Sequence, residues 1–176
     1  MFEPDDPGLF MRYPAFDDLI PPPQLPEGYT LRTYQPGDDA ALATLLARAF
    51  GPEWDEKKVR EALVDAPDVK EIYVVEYAGT LVATASARVI PEEFPDVGYL
   101  HWVASDPDHR GRQLALAVVQ RVLDYLRSIN AQNALLETQD WRESAIRLYT
   151  RVGFVPEYRG TRAQLRWSRI LRKLVH

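Results

Sequence analysis

Arg110 and Arg112 flank Gly111 where a strand-like stretch ends in a loop and a long helical pattern begins. The stretch is His101-Trp102-Val103-Ala104-Ser105-Asp106-Pro107-Asp108-His109, and Gln113-Leu114-Ala115 opens the helix. The first N–H groups of a helix lack intrahelical partners and lie at the positive end of its dipole. Two arginines beside such an end suit a phosphate or pyrophosphate. Gly111 and Ala115 leave room for a ligand to approach the backbone. A basic helix start without a ligand has the same local pattern. His101 can take up a proton near neutral pH, although a lone strand histidine also serves as a hydrogen-bonded wall. Tyr149 carries a weakly acidic hydroxyl in a later helical segment, where it also fits a packing role.

The elements that position these groups follow from periodicity. Tyr29–Tyr34 alternates apolar and polar residues and reads as a strand. Asp38, after the turn Pro36-Gly37, is offered as cap to a helix over Ala40–Phe50. Asp55 can cap a second helix through Val64, which Pro67 ends. Glu71–Tyr77 and Leu81–Ile90 are strand-like around Ala78-Gly79-Thr80. Val97–Ala104 is a strand, and Leu114, Val118, Val122, Leu126 and Ile129 mark a helix over Gly111–Ile129. A short strand Ala134–Glu137, a helix Trp141–Val152 ending on Gly153, and a strand Phe154–Tyr158 follow. Ala163–Ile170 reads as a last strand, with a helix as the alternative. The lead, residues 1–28, interleaves seven prolines with Phe2, Phe10, Tyr13, Phe16 and Ile20. Proline at this density opposes helix and central strand, while the aromatics oppose plain disorder. An extended arm is expected, lying on a domain of residues 29–176 or on a partner subunit, which makes a homodimer plausible.

Composition narrows the function. The 176 residues suit one domain, and 46% hydrophobic with 27% charged content is ordinary for a soluble globular chain. The absence of cysteine excludes thiolate catalysis and disulfides. His101, His109 and His176 lack metal-ligand spacing, so no metal is expected. No apolar run approaches the ~20 residues that span a bilayer, and the N-terminus lacks a basic-then-apolar leader. No membrane association is expected, and a cytoplasmic location is. Net charge is −5, yet residues 142–176 hold nine Arg and Lys against two acids. That edge could face a polyanion or simply be solvated. Apart from Trp167 it lacks interleaved aromatics, so nucleic-acid binding is not expected.

Two motifs carry a resemblance. Arg110-Gly111-Arg112-Gln113-Leu114-Ala115 resembles the acyl-CoA-binding pattern Arg/Gln-x-x-Gly-x-Gly/Ala of the GNAT (N-acetyltransferase) superfamily, with Gln113 where glycine is usual. Ala145-Ile146-Arg147-Leu148-Tyr149-Thr150-Arg151-Val152-Gly153-Phe154 is similar to the later Ala-x-x-Leu-Tyr-x-x-x-Gly-Phe motif, with Arg142 where asparagine is frequent. The likeness covers about Tyr29–Tyr158. It implies an α+β (α/β) GNAT fold, a mixed and mostly antiparallel sheet of six or seven strands flanked by four helices. It implies acetyl-CoA or another acyl-CoA as cosubstrate, no metal, and a small-molecule or protein amine as acceptor.

The resemblance assigns roles as well. Arg110, Gly111, Arg112, Gln113, Leu114 and Ala115 would hold the pyrophosphate. The backbone of Trp102, Val103 and Ala104 would meet the pantetheine where the Val97–Ala104 strand splays from the next one. Tyr149 would donate a proton to the departing sulfur, and His101 stands where the family often has a glutamate base. Glu92 and Glu93 are alternative bases. Trp54 and Trp141 are candidate walls of the acceptor pocket. A non-catalytic CoA-binding module is the alternative function.

Overall fold

The computed structural model describes residues 8–175; residues 1–7 of the expected arm and His176 lie outside them. Seven strands form one sheet: β1 (Leu9–Tyr13), β2 (Tyr29–Thr33), β3 (Val69–Tyr77), β4 (Thr80–Val89), β5 (Val97–Ser105), β6 (Asn133–Thr138) and β7 (Val155–Glu157). Five helices flank it: α1 (Asp39–Phe50), α2 (Glu56–Val59), α3 (Leu114–Ser128), α4 (Glu143–Val152) and α5 (Gly160–Val175). The spatial order is β2-β3-β4-β5-β6-β1-β7. Only β5 and β6 run parallel; every other neighbouring pair is antiparallel. That one parallel pair is joined through α3, the crossover such strands need.

Both faces of the sheet are covered, and strand alternation sorts the side chains between them. On β3, Tyr73 and Val75 join the core beneath α3, whereas Ile72 and Val74 join the core beneath α1 and α2. Leu114, Val118, Val122 and Leu126 of α3 are buried with Val82, Ala83, Ala85 and Ala87. Leu42, Leu45 and Leu46 of α1 close over Val59 and Leu63 on the other face. Asp55 caps α2 as expected, its carboxylate accepting from the Lys58 N–H at 2.8 Å. Asp38 does not cap α1 with its side chain. Arg32 donates two hydrogen bonds to that carboxylate, at 2.6 and 3.0 Å, and holds its pKa below the ordinary value.

Two expectations change. The lead is not only an arm: Leu9–Tyr13 inserts between β6 and β7 and pairs with both. Pro7 and Pro14 bracket a proline-free window long enough for a central strand, so proline density around it did not forbid one. Leu9, Met11 and Tyr13 alternate with Phe10 and Arg12 and are buried. The expected last strand is instead α5, a fifth helix where four were expected. Ala163, Trp167, Ile170 and Leu174 lie three or four residues apart and pack on the core, which is helical spacing. Leu165, off that face, is left exposed.

Candidate active site

The site begins where β5 and β6 separate. Their pairing runs only over Val97–Asn133, Gly98–Ala134 and Tyr99–Leu135, although β5 continues to Ser105 and β6 to Thr138. On its other side β5 is interrupted too. Thr84 faces Ala104 and Ser86 faces His101, so Trp102 and Val103 together oppose a single residue of β4. This is a β-bulge, and Trp102 carries the positive φ of 45° that goes with it. A bulky residue in that conformation stores strain and clusters at functional sites. The backbone of Trp102 and Val103 is thereby withdrawn from regular pairing at the edge of the gap.

Two openings meet there. The smaller, about 330 Å³, is lined by His101, Trp102, Glu137, Arg88, Tyr99 and Phe50 among others. The larger, about 750 Å³, is lined by Ala104 and by the loop from Arg110 through Ala115. Val103, Arg142 and Tyr149 line both. Tyr149, His101 and the nine residues expected to hold the cofactor therefore border one or other opening, whereas the alternative bases Glu92 and Glu93 and the candidate wall Trp54 do not.

The larger opening has the charge of a polyanion site. Arg48, Arg110, Arg112, Arg142 and Arg151 line it, and no carboxylate does among the described residues. Its floor is the N-terminal end of α3, whose first helical bond runs from the Ala117 N–H to the Gln113 carbonyl. The preceding N–H groups are left for a ligand. Gly111 has φ 76° with nothing within 4 Å of where a Cβ would sit. Arg48 was not found from the sequence. From the last turn of α1 it reaches Asp106, and Asp108 at 2.7 Å. Asp106 in turn accepts from the Asp108 N–H at 2.9 Å. These bonds tie the loop to α1, a contact between segments far apart in sequence. His109 also lines this opening and is held within 2.8 Å of the Tyr29 hydroxyl. The donors present, arginine forks and a free helix end, fit a CoA pyrophosphate.

Gln113 adopts φ 59°, ψ 22°, the left-handed region. Glycine at this position of the motif is thus explained by backbone geometry, and a side chain costs about 1 kcal/mol there. Gln113→Gly should raise unfolding stability by about 1 kcal/mol in chemical denaturation. An unchanged midpoint would mean that the glutamine's own contacts offset its strain.

Tyr149 is buried, 7% exposed, with its ring edge-on to Phe154 at 6.0 Å. Burial pushes its pKa up to about 12, with Arg142 pulling the other way. Its hydroxyl keeps its proton across the physiological range. Gly153, in the left-handed C-cap of α4, lies against the Tyr13 ring, which also packs edge-on to Phe154 at 5.4 Å. Strand β1 thus buttresses the helix that presents Tyr149.

His101 is half-buried, and burial with the nearby Arg88 guanidinium lowers its pKa to about 4. The imidazole is neutral at pH 7 and able to accept a proton, but it is a weak base. The unfolded chain binds that proton near pH 6.5, so folding stability should fall as pH drops from about 6.5 to 4. His101→Gln should flatten that part of the thermal-midpoint profile. A slope unchanged by the substitution would assign it to another group.

Other expectations shift. Glu92 and Glu93 are exposed in the turn before β5 and line neither opening. The carboxylate in the smaller opening is Glu137 of β6, with the Tyr99 hydroxyl 3.5 Å away. Trp54 is 3% exposed and packs in the α1–α2 core, 4.7 Å from Trp102. Trp141 is 57% exposed at the rim of the larger opening, not the smaller.

Comparison with known proteins agrees with this geometry. Residues 40–154 match the model of the acetyltransferase (GNAT) family, and the chain belongs to that family. A mycothiol acetyltransferase of Thermobispora bispora is 35% identical over 154 residues, covering 82% of this chain and 52% of the relative. One from Saccharomonospora viridis is 34% identical, covering 83% and 52%. The chain thus spans about half the length of the curated relatives it matches. In fold it is similar to a putative GNAT acetyltransferase from Novosphingobium aromaticivorans, with TM-score 0.64 at 22% identity, covering 87% of this chain and 61% of that one.

Proposed function

We propose that the chain is an N-acetyltransferase that moves an acetyl group from acetyl-CoA to a primary amine by direct attack, both substrates being bound at once. The observation that carries this reading is the meeting of an arginine-lined opening and a smaller mixed one at Val103, Arg142 and Tyr149, where β5 and β6 part. Acetyl-CoA supplies the thioester. Arg110, Arg112 and the α3 N-terminus hold its phosphates, and Arg48 fixes the loop that carries them. The bulged backbone of Trp102–Ala104 orients the pantetheine and offers donors to the acyl oxygen. Tyr149 holds the proton destined for the leaving sulfur. With a pKa near 4, His101 fits the wall of the acceptor pocket better than the base. Glu137 lines the acceptor side, where it orients the amine and the water that takes up the proton the attacking nitrogen gives up.

An opening of about 330 Å³ suits a small-molecule amine more than a protein loop. The relatives' name puts mycothiol-related amines first on a test panel. We assign the reaction to residues 29–176, with β1 of the lead completing their sheet, in the cytoplasm. No described helix is long and apolar enough to cross a membrane. A second reading, a CoA-binding module without turnover, draws on the strained Gln113 and on Arg142 where asparagine is frequent.

Calorimetry with acetyl-CoA and thiol release across an amine panel test both readings. Binding with amine-dependent thiol release is expected. Binding without release selects the module, and no binding at millimolar acetyl-CoA overturns both.

A further inference from the structure

Arg142 is the one arginine at the junction that lines both openings. It is half-buried at the N-terminus of α4. Its guanidinium lies over the Trp141 ring at 4.4 Å and the Phe50 ring at 4.6 Å. Rings attract a cation but accept no strong hydrogen bonds from its fork of donors. Among the described residues no carboxylate pairs with it. Its neighbour across the smaller opening, Arg88, differs: Asp68 holds it. A half-buried charge without a counter-ion is costly, and burial lowers the Arg142 pKa accordingly. An arriving anion would recover that cost.

The phosphates of a CoA do not require this residue, because Arg48, Arg110, Arg112 and Arg151 line the larger opening without reaching the smaller one. Arg142 stands instead beside Tyr149, where acyl group and acceptor would meet. The smaller opening also holds the carboxylate of Glu137. One cavity of about 330 Å³ therefore offers an anion and an unpaired cation, a pattern complementary to a small zwitterion.

We propose that Arg142 binds a carboxylate carried by the acceptor, so that the amine acetylated here belongs to an amino acid or a short peptide-like acid. The proposal rests on the acetyl-transfer reading. A planar guanidinium fork matches a carboxylate through two parallel hydrogen bonds, which an asparagine or a lysine cannot reproduce.

Matched pairs provide the test: amino acids and dipeptides against their carboxamides, in acetyl-CoA-dependent thiol release. The wild type should favour the acid over its amide by about tenfold or more in kcat/KM, the size expected of one charge-assisted pair. Arg142→Gln should reduce that preference to about twofold or less, through the acid alone, and Arg142→Lys should retain part of it. Equal use of acid and amide by the wild type overturns the proposal, and that comparison needs no variant. So does a preference that survives in folded Arg142→Gln, with folding checked by near-UV circular dichroism. A third arm compares succinyl-CoA with acetyl-CoA on an uncharged amine. If the wild type prefers succinyl-CoA and Arg142→Gln does not, the residue serves the acyl chain, and the acceptor assignment falls. If acetyl-CoA binds yet neither member of any pair releases thiol, acetyl transfer itself fails. That result differs from equal use, in which both members react.

Discussion

Replacing Tyr149 with phenylalanine should lower turnover about a hundredfold while leaving acetyl-CoA affinity within a few-fold. Tyr149 borders both openings, and its hydroxyl, with a pKa near 12, keeps its proton at working pH. A departing thiolate is a good acceptor for it. Loss of a positioned proton donor typically costs a factor of about 100 to 10,000, and a hundredfold corresponds to about 3 kcal/mol of barrier. The ring remains to pack on Phe154, so the fold should hold. Because the contribution belongs to the transition state, kcat and kcat/KM should fall together. Steady-state thiol release and a calorimetric Kd measure the two quantities separately. Unchanged turnover removes Tyr149 from the reaction and leaves it as packing.

Deleting residues 1–28 should unfold the protein rather than merely free an arm. That deletion removes β1 from between β6 and β7 and takes Leu9, Met11 and Tyr13 out of the core. Each large buried side chain is worth about 2–5 kcal/mol when truncated to alanine. Three of them approach the whole stability of a typical domain, about 5–15 kcal/mol. The shortened chain should lack a cooperative thermal transition, and Met11→Ala alone should cost about 2–5 kcal/mol. A cooperative transition in the shortened chain would show that the sheet closes without β1, and light scattering could then ask whether the lead joins two subunits.

Much of the fold could be read from the chain because its patterns are local. The spacing of Leu114, Val118, Val122 and Leu126 marks α3 without reference to anything else, and the paired motifs locate the phosphate loop and Tyr149. What escaped is set by partners distant in sequence. Strand β1 reads as proline-rich lead because its pairing lies with residues after Asn133. The last element reads first as a strand, with a helix as the alternative, and only burial reveals that Ile170 and not Leu165 shares the Trp167 face. Arg48 looked like an ordinary helix-end cation until the fold brought Asp106 and Asp108 beside it. Glu137 read as the end of a short strand, and it enters the smaller opening only because β6 leaves β5 after Leu135. The glycine preference at position 113 was legible as a motif, whereas its reason, a left-handed backbone, was not.

The position of β1 also governs when the molecule can be completed. Leu9 lies opposite Thr138, and Met11 opposite both Leu136 and Pro156. Strand β1, made before the other six strands described here, therefore waits for almost the last of them before it can pair. During that interval an apolar strand and the open edge of β6 are both available to other chains, the circumstance in which nascent proteins aggregate. Pairing across such a separation also slows closure, since the loop entropy must be met before the contacts form. The strand that steadies the helix carrying Tyr149 is thus also the one whose pairing spans the greatest separation in sequence.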